Sequence, residues 1–362
     1  MKKPFTPHNL PLEKLNWEEF VHLIGKANAE VARFDGLLQG MPNPAVLLSP
    51  LSMQEAVLSS RIEGTQATLQ EVLEFEADPT QKNKKYDDIQ EVLNYRRAMG
   101  YAVKEMKKIP LSTRLIRGIH SILLDSVRGE NKDRGNFRKI QVHVGKTNKI
   151  EEATYVPPTA QLVPECMSNL EKYFHIEEKD TLVQLAIIHA QFEIIHPFLD
   201  GNGRVGRIMM PLFLYHKGVL SSPMFYLSEY FESHRENYYQ KLLNVSQNND
   251  WEGWIEYFLG AVVEQSKINI QKAKAIHKLY DDKKNKIVDI THSQFAIKTL
   301  DFLFCYPVFT SSQFVKESKI PSRSAARILN ELKDGGVIKT VEKGTGKKPA
   351  TYAFVKLLAV VG

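Results

Sequence analysis

Leu182 to Met210 reads LVQLAIIHAQFEIIHPFLDGNGRVGRIMM. In its first half Leu182, Leu185, Ala186, His189, Phe192 and His196 recur at helical spacing, which stacks them on one face. Pro197 cannot prolong that helix, so His196 falls at its end. Asp200, Gly201, Asn202 and Gly203 are turn-forming, and a second apolar run starts at Val205, with Arg204 and Arg207 one turn apart near its beginning. A turn that opens a helix is an anion site, because backbone N–H groups and the positive end of the helix dipole point into it. Glycines let a phosphate approach the backbone closely, and two arginines add fork-shaped donors. A histidine beside the phosphates can take a proton, and an aspartate can hold a divalent metal on them. HPFLDGNGRVGR therefore reads as a nucleotide phosphate cradle with its own general base.

This run resembles the signature loop of the Fic family, HxFx[D/E]GNGRxxR, at every fixed position. Fic enzymes mostly transfer AMP from ATP to a hydroxyl side chain of a target protein. The resemblance makes His196 the catalytic base and gives ATP binding to Asp200, Gly201, Asn202, Gly203, Arg204, Val205, Gly206 and Arg207. It makes Asp200 the Mg²⁺ ligand, and the intact Gly201 argues for AMP transfer over transfer of another part of the nucleotide. Tyr238 and Tyr239 sit where the family presents aromatic rings to adenine. Partial core packing is the competing reading for that pair, and Ser246 stands where the family often has Asn.

Upstream, SPLSMQEAVLSSRIEG reads as a helix over about 50–64, with Ser49-Pro50 suited to its start and Gly64 to a left-handed close. Ser59 and Glu63 are four apart and share a face. Ser-x-x-x-Glu-Gly resembles the inhibitory motif [S/T]xxxE[G/N] of one class of Fic proteins. The resemblance implies that Glu63 competes with ATP for Arg207, with Ser59 and Gly64 completing the motif; an ordinary solvated helix end is the alternative. Further helices are expected over Thr65–Ala77, Asp87–Lys108, Leu111–Val127 (Ser112 as cap) and 159–175. Between them IQVHVG alternates and is β-branched, KTNKIEE turns, and ATYVPP is a second short strand. The resemblance makes Ile140 to Val156 a β-hairpin flap on which a target protein docks, with Val142, His143, Val144 and Gly145 near the nucleotide. Gly145-Lys146-Thr147 and GTGKK at 344–348 lack the glycine spacing of a P-loop.

At 362 residues, 43% hydrophobic and 25% charged, the chain has a globular composition and room for two or three domains. No apolar run approaches a membrane span, and MKKPFTPHNLP lacks a signal-peptide core. Cys166 and Cys305 have no metal-ligand spacing, and a reducing, cytoplasmic setting with no membrane partner is expected. The net charge of +6 says little about partners.

The fold class expected is mainly α: a Fic-type helical bundle with a β-hairpin flap, plus a small C-terminal winged helix-turn-helix domain. The boundaries are 1–108 for an N-terminal helical domain, 109–265 for the catalytic core, 266–289 for a helical linker and 290–362 for the winged helix. Over 301–362 ten basic residues face five acidic ones, which suits DNA through Arg323, Arg327, Lys347 and Lys348; winged helices also serve as protein-binding modules. The function implied is protein adenylyltransferase, acting on a Ser, Thr or Tyr hydroxyl of a target and on itself. A DNA-binding regulator with a nucleotide-sensing core and a de-AMPylase using the same site are the alternatives, and homo-oligomers are open.

Overall fold

The run 182–195 forms a helix in which every residue from Leu182 to Ile195 except Glu193 is buried. One-sided periodicity does not convey this: a helix apolar all round belongs at the centre of a bundle. The computed structural model describes residues 3–79, 84–125, 132–145, 147, 149–345 and 348–362. Its helices are α1 (Val21–Gln39), α2 (Pro44–Leu47), α3 (Ser49–Ile62), α4 (Leu69–Ala77), α5 (Tyr86–Glu105), α6 (Thr113–Leu123), α7 (Val163–His175), α8 (Thr181–Ile195), α9 (Asn202–His216), α10 (Ser228–Ser233), α11 (Arg235–Asn248), α12 (Trp251–Thr291), α13 (Ala296–Cys305), α14 (Ser311–Ser318), α15 (Ser322–Asp334) and α16 (Val355–Val361). Around α8 pack α1, α7, α9, α11 and α12; Trp254 of α12 donates its indole N–H to Ala186 O at 2.8 Å. Among the described residues no helix is long and apolar enough to cross a membrane.

Local chemistry sets the ends. Asp180 caps α8 by accepting from Leu182 N and Val183 N. Ser112 caps α6, as expected. The helix expected from Thr65 begins only at Leu69, because Thr68 and Glu71 form a capping box there. Upstream of it, Gln66 N donates to Asp88 on α5 at 2.8 Å. Gly64 closes α3 with φ of +101°.

Among the described residues the expected flap strands shrink to a single antiparallel bridge, Val144 with Tyr155. Ile150–Glu152 takes a 3₁₀ turn, and Lys146 and Asn148 lie outside the described residues. The flap is held less by its own ladder than by neighbours: Phe5 N donates to Val156 O at 3.0 Å, and Tyr155 Oη donates to Ile194 O at 2.8 Å.

The segment expected to link two domains is not a bare connector. Helix α12 keeps one face buried to its end, through Ala273, Ile276, Tyr280, Ile287 and Thr291. Against it and α3 pack α13 and α16. Pro307 separates α13 from β1 (Val308–Thr310). Strands β2 (Lys339–Glu342) and β3 (Thr351–Ala353) complete an antiparallel sheet in the order β1-β3-β2, with Val308 opposite Ala353 and Thr340 opposite Tyr352. Thr310 Oγ1 reaches Ala77 O at the end of α4 at 3.3 Å. The last seventy residues thus share surfaces with the N-terminal helices.

Candidate active site

Helix α8 stops at His196, which takes the left-handed conformation, φ of +49°, while its N–H still bonds to Phe192 O at 3.0 Å. A non-glycine residue there carries strain of about 1–2 kcal/mol, so surrounding contacts must hold it. His196 Nδ1 lies 3.4 Å from Glu193 O. A carbonyl only accepts, so Nδ1 carries the proton and Nε2 has the free lone pair. Burial pulls the imidazole pKa down to about 4, against the opposing pull of the Glu193 carbonyl and Glu63. The ring is a neutral base at physiological pH.

The turn that follows is clasped from inside. Phe198 N donates to Asn202 Oδ1 at 2.9 Å, and Asn202 Nδ2 donates to Phe198 O at 3.0 Å. The Asn202 side chain is therefore spent on the loop's own backbone. Gly201 caps α9 with φ of +77°, a conformation that suits a residue without Cβ. Phe198 stacks on His120 at 3.8 Å and 7°. His120 Nδ1 accepts from Gly135 N at 2.9 Å, which leaves Nε2–H to donate to Asp200 O at 3.1 Å. Burial holds this imidazole neutral, near 4. Sequence reasoning passed over His120, eighty positions away, since no local pattern marks it. Val205 is wholly buried and Gly206 faces the packed side of α9, so their side of the helix is core.

Both arginines are buried and held by carboxylates. Arg204 Nη1 meets Glu91 Oε2 of α5 at 3.0 Å, with Asp200 at 3.6 Å. Arg204 Nε has no hydrogen-bond partner among the described residues. Thr65 Oγ1 donates to the same Glu91 oxygen at 3.1 Å. Arg207, 1% exposed, donates Nε to Ser59 Oγ at 2.8 Å, and Nη2 to Ser59 O at 2.9 Å and to Glu63 Oε1 at 2.6 Å. Burial opposes charge on Arg207, yet Glu63 keeps it firmly protonated. Burial likewise pushes Glu63 up, but Arg207 and then Arg204 more than reverse this, leaving it below the usual carboxylate range. The pair is ionised. A Cβ on Gly203 would overlap Glu63 Oε1 and stand 2.9 Å from Arg207 Nη1. A carboxylate therefore lies directly over the glycine turn, where an anion is expected.

Helix α3 is fixed in this place by Glu55, whose carboxylate accepts from Ser228 Oγ at 2.5 Å and Tyr95 Oη at 3.1 Å. Burial raises its pKa. Glu193, on the base's own helix, has an Oε1 without a partner among the described residues, and burial raises its pKa to about 8. Neither carboxyl was singled out from sequence.

Of the two tyrosines, Tyr238 is buried, bonded through its hydroxyl to His189 Nε2 at 2.8 Å and stacked on Phe231 at 4.6 Å. It packs in the core, the reading that competed with an adenine contact. Tyr239 is 42% exposed, and its hydroxyl donates to Ile62 O at 3.3 Å beside the Glu63 turn. On the flap Val144 and Gly145 are exposed, Val142 and His143 half-buried; His143 Nε2 lies 3.0 Å from Thr147 O.

Two of the four residues expected to meet DNA have partners within the chain. Arg327 donates to Thr291 O at 3.0 Å, at the end of α12, and pairs with Glu331 at 2.8 Å. Lys348 pairs with Glu342 at 2.5 Å. Arg323 is exposed on α15, and Lys347 lies outside the described residues.

The sequence matches the Fic/DOC family N-terminal region over residues 21–104 and the Fic/DOC family domain over 110–214. The chain is a Fic/DOC family protein. Among curated Fic relatives, a probable protein adenylyltransferase of Aquifex aeolicus is 29% identical over 196 residues, 52% of this chain and 56% of that protein. The protein adenylyltransferase Fic of Drosophila yakuba is 30% identical over 162 residues, 43% of this chain and 31% of its own length. The chain thus spans about half and about a third of these relatives. A Fic family protein from Desulfovibrio desulfuricans G20 has the same fold end to end, with a TM-score of 0.60 over 98% of both chains at 19% identity. Fic-1 of C. elegans superposes with a TM-score of 0.54, covering 70% of this chain and 74% of that one at 19% identity.

Proposed function

We propose that this Fic protein transfers an adenylyl group from ATP to a hydroxyl of a protein side chain, and that the form described here is held inactive by Glu63. The carrying observation is the Glu63 carboxylate on Arg207 and over Gly203: a protein anion in a seat built for a phosphate. The two relatives named adenylyltransferases support the reaction class.

The chemistry follows from the groups in place. The target oxygen attacks the α-phosphorus, the bond from that phosphorus to the bridging oxygen breaks, and pyrophosphate leaves. His196 Nε2 takes the hydroxyl proton. Its depressed pKa makes it a weak base when ATP is absent; triphosphate charge beside the ring raises that basicity toward working pH. Arg204, oriented by Glu91, sets a guanidinium charge at the start of α9, where the phosphates would lie. The N-terminal N–H groups of α9 and its dipole stabilise the charge that builds on the leaving pyrophosphate.

Asp200 fits a magnesium site of the usual nucleotide kind. Its side chain is 43% exposed at the mouth of the turn, and one protein carboxylate plus substrate phosphates is what this ion commonly takes. Bound there, magnesium would supply charge neutralisation on the phosphates. The exposed side chains of Ile140 and Val144 offer an apolar strip against which a target segment can lie. The C-terminal helices and three-stranded sheet, in winged-helix order, we read as a docking module, since two of its four candidate DNA contacts are engaged internally.

The test is label position. Incubating the Glu63→Gly protein with ATP labelled at the α- or the γ-phosphate, with magnesium, should label protein from the α position alone. Label from γ would indicate a phosphoryl transfer instead.

A further inference from the structure

Helices leave their last carbonyls without intrahelical donors, and a buried end must find donors elsewhere. At the end of α8, Tyr155 serves Ile194 and His196 serves Phe192 and Glu193, while one guanidinium serves the last two carbonyls, those of Ile195 and His196. Arg138 is 2% exposed, and no ion pair or carboxylate hydrogen bond is made by its guanidinium among the described residues. Its Nε donates to His196 O at 2.8 Å, and its Nη2 to Ile195 O at 3.4 Å. The same guanidinium donates to Pro158 O at 2.5 Å and Ile140 O at 3.3 Å, the two feet of the flap. Its backbone N–H adds a bond to Pro197 O at 2.9 Å. A buried guanidinium held only by carbonyls is costly to desolvate, and its five donors are fixed in one plane. That plane joins the peptide of the left-handed His196 to both ends of the segment on which a target would lie.

We propose that Arg138 is the positioning residue of the transfer reaction, clamping the His196 backbone to the flap so that the base and the docked hydroxyl share one frame. The inference rests on the reading of His196 as general base. Without the fork, His196 loses the acceptor bond that holds its left-handed turn, and the flap feet are free to shift relative to the ring. A displacement of about 1 Å at a reacting group can cost roughly 10²-fold in rate.

Charge gives a second readout. The groups facing His196 are Glu63 from α3, Asp200 from the turn, the Glu193 carbonyl from its own helix and Arg138 from before the flap. Burial is the main depressing influence on the ring, and Arg138 adds to it, while Glu193, Glu63 and Asp200 oppose it. Removing the guanidinium charge therefore raises the pKa of His196 and moves the acid limb of the rate profile to higher pH. A purely structural loss lowers the rate without moving that limb.

The experiment uses the full chain with Glu63→Gly, so that turnover is measurable, and compares Arg138→Lys, Arg138→Met and His196→Ala in that background. The expected result is a fall in kcat with little change in KM for ATP, several-fold for Arg138→Lys and roughly 10²-fold for Arg138→Met. The acid limb should stay in place for Lys and move up for Met. Wild-type kcat in Arg138→Lys, or an unmoved limb in Arg138→Met, overturns the proposal. Should Arg138→Met fail to fold, kcat against KM in Arg138→Lys decides alone. If His196→Ala keeps its activity, the base reading itself fails; if it is dead while the Arg138 variants match their parent, only the clamp does.

Discussion

Replacing Glu63 with glycine removes the carboxylate from the cradle and leaves Arg207 with its two Ser59 bonds. The lost contact is a charge-assisted hydrogen bond of 2.6 Å to a guanidinium that is 1% exposed. Such bonds are worth about 1.5–3 kcal/mol. Glu63 itself is 33% exposed, so solvent screening takes a share. Roughly 1–2 kcal/mol remains, a factor of 5–30 in any equilibrium it biases. That is the expected gain in self-labelling rate from α-labelled ATP, since ATP no longer competes with a fixed anion for Arg207. Glu63→Gln keeps the volume and an acceptor but not the charge, and should fall between wild type and glycine. Adding Arg207→Ala should cancel the gain, because the freed guanidinium is what the phosphates use. Rates for the four proteins at equal Mg-ATP settle the matter. A glycine variant no faster than wild type would refute the inhibitory reading and leave Ser59–Gly64 as a helix end.

Three further outcomes follow from the structure. Burial holds His120 and His196 near 4 and His189 near 3, against about 6.5 when unfolded. The unfolded chain then binds more protons as pH falls from about 6.5 toward 4, so the histidine contribution is complete above that window and lost through it, while the raised carboxyl of Glu193 works in the opposite sense; NMR ring signals read each group separately and should show these three histidines unprotonated at both pH 7.5 and pH 5, and a ring that titrates near 6.5 would contradict neutral burial. Asn202→Ala removes two buried bonds to the Phe198 backbone, at a cost of roughly 2 kcal/mol or more; calorimetry should show a lower melting point and weaker ATP binding, and unchanged ATP affinity would mean the clasp does not shape the cradle. Removing residues 290–362 strips α13 and α16 from α3 and from the buried face of α12, so the truncated chain should melt lower and label itself faster; an unchanged melting point would restore the picture of an independent domain.

The turn between α8 and α9 was legible because it is local: histidine, glycines and arginines stand within twelve residues, and the fold brings them together at one helix start. The Glu63–Arg207 contact, 144 residues apart, was legible only through a family motif. What holds these groups in place was not. Arg138 and His120 act through main-chain carbonyls, which any residue offers, so no pairing of side-chain types in the sequence marks them. Alternation in 140–156 signalled strands, yet the flap is tied at its feet and keeps one bridge. Tyr238 and Tyr239 are identical in sequence terms and opposite in exposure, because neighbouring positions on α11 face different ways. Charge counting over the last sixty residues favoured DNA, while Arg327 and Lys348 prove to be partnered within the chain.

Intact-protein mass after incubation with Mg-ATP tests the central claim most directly. Glu63→Gly should gain the mass of one or more adenylyl groups, and Glu63→Gly with His196→Ala should gain none while still binding ATP, since loss of a general base costs about 10²–10⁴-fold. A phosphate-sized increment, or an adenylyl increment that survives without His196, would contradict it.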